Sequence, residues 1–257
     1  MFAEARRRLY PESGAEWMEH GGACAVFNGI DSPVTQSFGL GIFETLDASA
    51  LDAVERFFFD RGTAAVHEVS PLAGVAALDL LCRRQYNPVE ISSVMYRAAD
   101  RPSVEAPPGI HVHVAGSSET AVWADVLTRG WLAECPGLRE LFLENGAIGA
   151  GCEGSVPFLA GLGAGAGAEP GAAATLCIHA GVALLGGAAT VPEMRRKGLQ
   201  TALIAARIRY AFEHGCDLLM MAAEPGSNSQ RNAERNGFRV AYTRTKWRLA
   251  CPQTSVS

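Results

Sequence analysis

Thr190-Val191-Pro192-Glu193-Met194-Arg195-Arg196-Lys197-Gly198-Leu199-Gln200-Thr201 is the stretch on which the rest of the sequence turns. Ahead of it runs an apolar segment, residues 181–190, of a length that suits a buried strand. Behind it, Leu199, Leu203, Ile204, Ile208 and Phe212 recur near a 3.6-residue period, and Gly215 closes the pattern. The stretch therefore reads as the end of a strand, a basic turn with one glycine, and the start of a helix. A helix start carries backbone N–H groups without acceptors and the positive end of the helix dipole, which suits a phosphate. Arg195, Arg196 and Lys197 bring three cations to the same place. The plain alternative is an ordinary strand-to-helix turn with solvated cations.

Two familiar phosphate loops are excluded. No Gly-Lys-Ser/Thr ends the turn, so it is not a P-loop, and Gly-x-Gly-x-x-Gly is missing, so it is not a Rossmann turn. A second apolar strand, residues 218–223, follows the helix. Then 224–229 turns into a short helix over 230–236 that ends in Gly237-Phe238. Arg195-Arg196-Lys197-Gly198-Leu199-Gln200 resembles motif A of the GNAT acetyltransferase superfamily, Gln/Arg-x-x-Gly-x-Gly/Ala. The short helix with its Gly-Phe resembles that superfamily's motif B. The resemblance is sharp over 181–247 and extends in architecture over 109–250. Gln200 departs from it, standing where the family carries a small residue that lets the backbone approach a pyrophosphate closely.

The resemblance implies a GNAT-like mixed twisted α/β (α+β) sheet flanked by helices, and acetyl-CoA as cosubstrate. It implies that turn amides from Arg196, Lys197, Gly198, Leu199 and Gln200 to Thr201 hold the pyrophosphate. A backbone N–H near Val191, just past Thr190, would hold the acetyl carbonyl. Asn228 and Asn232 would contact the pantetheine arm or a phosphate, their plain alternative being to cap the short helix. Many members place a tyrosine five residues before the Phe of the Gly-Phe pair, as the acid for the thiolate; here that position is Ala233. Some place a glutamate base in the middle of the motif A strand; here it reads Leu184-Leu185-Gly186. Glu224, at the end of its strand, is the remaining carboxylate for a base, and Tyr242, on the following strand, the nearest candidate acid.

The 257 residues suffice for one large or two modest domains. A net charge of −5 argues against nucleic acid as the main partner, so the local cations read as a site for a small phosphate. No apolar run approaches the length of a membrane span, and Arg6-Arg7-Arg8 is followed by no signal-peptide core. The seven cysteines are scattered without a C-x-x-C pair and read as reduced thiols of a cytoplasmic protein.

Along the chain, a charged helix over 4–9 leads to strands at 22–28 and 34–43. A helix at 50–61, a strand at 64–69, a helix from Pro71 and a strand at 91–97 follow. Gln36-Ser37-Phe38-Gly39-Leu40-Gly41 matches Gln-x-x-Gly-x-Gly letter for letter, but carries no cation and no helix begins at its glycines, so it reads as strand. The proline-rich 100–109 is a linker. Beyond it come a strand at 110–115, helices at 119–131 and 138–145, and strands at 156–161 and 173–178 joined by a Gly-Ala-rich connection. His111 and His113 share one face of the first of these strands and read as a polar face rather than metal ligands, so no metal site is expected. Trp123, Trp131 and Phe142 read as core or as the wall of an acceptor pocket.

Helix, Arg61-Gly62, strand, Pro71, helix, strand to Tyr96-Arg97 recurs as helix, His214-Gly215, strand, Pro225, helix, strand to Trp247-Arg248. This predicts a tandem: a degenerate GNAT-like domain over 1–105 and an acetyl-CoA-binding domain over 106–257. The leading expectation is transfer of an acetyl group to an amine, with a small molecule as acceptor and no nucleic acid or membrane partner. Two alternatives stand beside it: a protein or peptide N-acetyltransferase, and a non-catalytic acyl-CoA-binding regulator.

Overall fold

The computed structural model describes residues 2–30, 32–100, 106–133, 135–163, 165 and 168–252. Half of the linker, 101–105, and the tail, 253–257, lie outside them. The first half of the chain gives α1 (Phe2–Leu9), β1 (Glu16–His20), β2 (Ala23–Phe27), β3 (Gln36–Phe38), α2 (Ala48–Phe59), β4 (Ala65–Val69), α3 (Gly74–Arg83) and β5 (Asn87–Ala98). The second gives β6 (Ile110–Val114), α4 (Thr120–Leu132), α5 (Arg139–Ala150), β7 (Ser155–Leu162), β8 (Glu169–His179), β9 (Val182–Thr190), α6 (Leu199–Glu213), β10 (Leu218–Ala223), α7 (Asn228–Arg235) and β11 (Arg239–Leu249). The chain folds into two compact units, 1–93 with 242–257, and 94–241.

In the first unit, β1, β2 and β3 pair antiparallel in order, and β3 meets β4 in parallel through one pair, Ser37 with His67. β4 pairs antiparallel with β11, Trp247 opposite His67. Alternation along β2 and β4 turns Ala23, Ala25, Phe27, Ala65 and Val69 inward. There they meet Leu51, Val54, Phe57 and Phe58 of α2, whose N-terminus is capped by the Asp47 carboxylate accepting from Ala50 N–H at 2.8 Å.

In the second unit, β6, β7, β8 and β9 pair antiparallel in order. β9 then pairs in parallel with β10, and β5 is the other neighbour of β10. Both faces of this sheet are covered. Leu199, Leu203, Ile204, Ile208 and Ala211 of α6 pack with Ala183, Leu185, Leu219 and Met221. On the other face Trp123, Val126 and Leu127 of α4 pack with Leu159, Ala173 and Ala189.

The run β7-β8-β9-β10 repeats the pairing of β1-β2-β3-β4: antiparallel, antiparallel, parallel. The structure is thus the tandem that the sequence predicts, with one exchange. β5 closes the first sequence repeat, yet its residues from Val94 on lie in the second unit, where Ala99 N–H donates to the Asp217 carbonyl at 3.0 Å. β11 closes the second repeat, yet its residues from Tyr242 on lie in the first unit on β4. The compact units therefore do not divide at the linker.

Three expectations at element level are corrected. β1 was not foreseen, because a nearly all-exposed Glu-Trp-Met-Glu-His shows no alternation. The strand expected over 34–43 is cut to Gln36–Phe38 by a turn in which Ile42 N–H donates to the Gly39 carbonyl. The helix expected from Pro71 opens as a 3-10 turn over Pro71–Ala73 and becomes α-helical at Gly74.

Candidate functional site

After β9 the chain makes a 3-10 turn over Pro192–Met194 and curls through Arg196 (φ 62°) and Gly198 (φ 88°) into α6. Gly198 is the N-cap and has no side chain to offer, and the first helical bond from it is Ala202 N–H to the Gly198 carbonyl at 3.0 Å. The N–H groups of Leu199, Gln200 and Thr201 therefore have no acceptor within the helix. Gly198 is required twice over. Its φ lies in the left-handed region, and a Cβ there would stand 2.9 Å from Pro107 Cγ.

The three cations of the turn separate by role. Arg195 donates from Nε to the Thr190 carbonyl (3.2 Å) and from Nη2 to the Gly130 carbonyl (3.0 Å), so it fastens the turn to β9 and α4. Arg196 and Lys197 are exposed. Gln200, the departure from the motif, turns back and donates from Nε2 to Thr190 Oγ1 at 2.8 Å. Leu199 gives its side chain to the core and offers only its backbone. Thr201 Oγ1 lies 3.4 Å from Asn232 Oδ1, which brings the start of α6 to the middle of α7. Asn228 is elsewhere engaged, its amide oxygen accepting from Arg231.

β9 leaves β10 early. The parallel pairs run only from Val182–Leu218 to Leu184–Met220, so β9 from Leu185 on has no partner in β10. On its other side β9 bulges. Pairs Ala173–Ala189 and Thr175–Gly186 bracket one residue of β8 and two of β9, Gly187 and Ala188. Gly187 has φ 47°, and a Cβ on it would meet Thr175 Oγ1 at 3.2 Å and Trp131 at 4.0 Å. Val191 stands where an N–H for the acetyl carbonyl was expected. Its N–H already donates to the Gly171 carbonyl at 2.9 Å, because that pair continues the β8–β9 ladder past the strand end.

Beneath the bulge lies Arg207 of α6, buried, donating from Nη1 to the carbonyls of Thr175 (3.1 Å) and Gly186 (3.4 Å) and from Nε to that of Leu203. Burial pulls its pKa down to about 9, which leaves it a cation at neutral pH. Among the described residues no carboxylate pairs with it.

The aromatic candidates separate too. Trp123 is core, its Nε1 donating to the Ala174 carbonyl at 3.1 Å. Trp131 and Phe142 pair with ring centroids 5.3 Å apart, and Trp131 borders Gly187. Glu224 is exposed just past β10. Tyr242 is half-buried on β11 and belongs to the first unit. Ala233 is wholly enclosed in the core around Phe238. His113 Nε2 lies 2.9 Å from Glu119 Oε1, and its ring stacks on that of His111.

A strand, an uncapped helix start and two parallel strands that part beside it, in a chain whose antiparallel, antiparallel, parallel pairing is built twice, decide the fold. The fold is the GNAT fold. Residues 161–248 match the family model described as FR47-like protein. Among solved structures, a GCN5-related N-acetyltransferase from Kribbella flavida is similar at TM-score 0.69 and 18% identity, over 96% of this chain and 93% of that one. A tandem GNAT protein from the clavulanic acid biosynthesis pathway is similar at TM-score 0.65 and 12% identity, over 99% and 89%. No curated protein matches the sequence. Among the described residues no helix is long and apolar enough to cross a membrane.

Two features of this candidate site were not foreseen, though both left a trace in the sequence. Gly186-Gly187 inside a strand marks a bulge or a close approach. Arg207 interrupts the apolar stripe of α6, four residues after Leu203 and beside Ile208, where a charge is out of place.

Proposed function

We propose that the chain binds acetyl-CoA at the turn 195–201 and passes its acetyl group to the amine of a small molecule. The observation that carries this reading is the junction of β9 and α6. N–H groups without an acceptor in the helix, at Leu199, Gln200 and Thr201, and the exposed cations Arg196 and Lys197 stand at the head of the segment where β9 parts from β10. Amides and a helix dipole suit a pyrophosphate, and the parted strands suit an extended pantetheine arm. Thr201, Asn232 and Asn228 border that path on the proposed reading.

The carbonyl donor moves from Val191 to Gly187. The Gly186 carbonyl faces Arg207. In a trans peptide the following N–H points the opposite way, and no pairing with β10 reaches this far. The Gly187 N–H so placed would stabilise negative charge on the thioester oxygen as the amine nitrogen bonds to the carbonyl carbon. The C–S bond then breaks, the thiolate leaves with its electron pair, and the substituted ammonium gives up a proton. Glu224 is the carboxylate nearest in sequence to the parted end of β10 and is the candidate base; Trp131 and Phe142 are candidate walls for the acceptor. The reading includes a cytoplasmic location, consistent with cysteines that are all free.

Consumption of acetyl-CoA against a panel of small amines and peptides tests this. Turnover on a small amine is the expected result, and turnover on peptides alone would shift the acceptor class. Burial of Ala233 favours a second reading, a non-catalytic acyl-CoA-binding protein, because α7 presents no acid at that position. Binding of acetyl-CoA without turnover on any acceptor would select it.

A further inference from the structure

Arg207 is an expensive residue to keep. An arginine buried on the inner face of a helix, with no carboxylate beside it, could be replaced by an apolar side chain that packs as well. What it does with its charge is specific. One terminal nitrogen bridges the carbonyls of Thr175 and Gly186, the pair that flanks the bulge of β9. A bulge disrupts the ladder locally, and the guanidinium bonds the two carbonyls that flank it.

Two consequences follow for the peptide between Gly186 and Gly187. Its plane is held, since the carbonyl is bonded from below and the Thr175 side chain leaves little room beside the Gly187 Cα. Its N–H is also a stronger donor than an ordinary amide, because hydrogen bonds in a chain polarise one another and the first donor here is a cation.

We propose that Arg207 is a positioning residue for acyl transfer, holding and polarising the 186–187 peptide so that the Gly187 N–H meets the thioester carbonyl. The role rests on the donor-binding reading given above. It also accounts for the charge: a leucine or methionine would fill the space but would take away the hydrogen bonds that Arg207 gives to the two carbonyls. Lysine would keep the charge and lose the planar fork that reaches two acceptors and the Leu203 carbonyl together.

The test is isotope-edited infrared spectroscopy of acetyl-CoA carrying ¹³C at the thioester carbonyl, bound without acceptor to the wild type, Arg207→Lys and Arg207→Met. In the wild type the carbonyl stretch moves to lower frequency on binding. In Arg207→Met that displacement largely disappears and kcat falls by roughly tenfold to a hundredfold, below the loss of a whole oxyanion donor. Free CoA, which has no acyl carbonyl, binds that variant as tightly as the wild type. Arg207→Lys gives an intermediate displacement, and it decides the matter should the methionine variant not fold. A displacement unchanged in the variant that folds, or a loss of CoA affinity as large as the loss of kcat, overturns the assignment. A wild type that binds no acetyl-CoA overturns the donor reading, and the role of Arg207 with it.

Discussion

At Gly198 a left-handed φ and the contact with Pro107 act on the same atom. Gly198→Ala therefore loses about 1–3 kcal/mol of stability, the usual cost of forcing a side chain into that region. Denaturant melts would show it, and an unchanged midpoint would mean that the turn relaxes. Because that variant disturbs the fold, the phosphate reading is better tested at Arg196, which is exposed. Arg196→Ala weakens CoA binding at low salt, and the loss shrinks as ionic strength rises, since exposed charges are screened. Calorimetry in two salt concentrations checks this; an equal loss in both would point to a structural defect. At Tyr242 the expectation concerns chemistry. With Ala233 enclosed in the core, the thiolate of CoA leaves without an acid on α7, as a thiol of ordinary pKa, about 8.5, allows. The rate should rise with pH and level off. Tyr242→Phe should change kcat by less than about tenfold, below a positioned general acid's share. A collapse of kcat with CoA affinity intact would give Tyr242 the acid's role.

Among the elements, the two parallel strand pairs differ instructively. β9 and β10 part after three pairs, whereas β3 and β4 are stitched at their single pair. Ser37 Oγ lies 2.7 Å from His67 Nδ1, His67 Nε2 lies 2.7 Å from the Tyr86 hydroxyl, and that hydroxyl donates to Glu55 at 3.1 Å. Burial holds the His67 pKa at about 3. The unfolded chain, with a histidine near 6.5, then binds the extra proton as pH falls below that value. The stitch thus contributes stability above pH 6.5 and loses it towards pH 3, by up to about 1.4 kcal/mol per pH unit. Glu55 and Glu68, whose pKa values burial raises, act with the opposite sign, so the contrast between wild type and His67→Gln isolates the effect. The variant should be less stable at pH 7 and should fall less steeply between pH 6 and 5. Parallel slopes would defeat this.

The same elements show what could be read from sequence. β9, α6, β10 and α7 were legible because each carries its own signal: a continuous apolar run, a 3.6-residue period, or a turn leading to Gly237-Phe238, although α7 begins at Asn228, two residues before the helix read from the sequence. β1 was not, because an exposed edge strand needs no alternation. Nor was the occupied N–H of Val191, which depends on where β8 ends opposite it. The stitch escaped for a related reason. Ser37, Glu55 and His67 come from three separate elements and Tyr86 from the connection between α3 and β5, and no spacing announces a contact set by packing.

For the molecule as a whole, the tandem predicts one CoA per chain rather than two. In the first unit the turn after β3 carries no cation, α2 begins only at Ala48, and its first N–H groups face the Asp47 carboxylate, which would repel a phosphate. A calorimetric stoichiometry of two would contradict this. The exchange of β5 and β11 makes a further demand. Ending the chain after Ala241 removes the partner of β4, together with Trp247 and Leu249 from the first core. Limited proteolysis of that variant should attack residues 1–93 first, and equal resistance in both units would show the strand to be dispensable. The exchange also sets a timetable. On the ribosome, β1 to β4 emerge early, but the strand that completes their sheet is made after more than a hundred further residues. The unit that is begun first is therefore finished last, and a premature stop near the end of the message would damage the beginning of the protein.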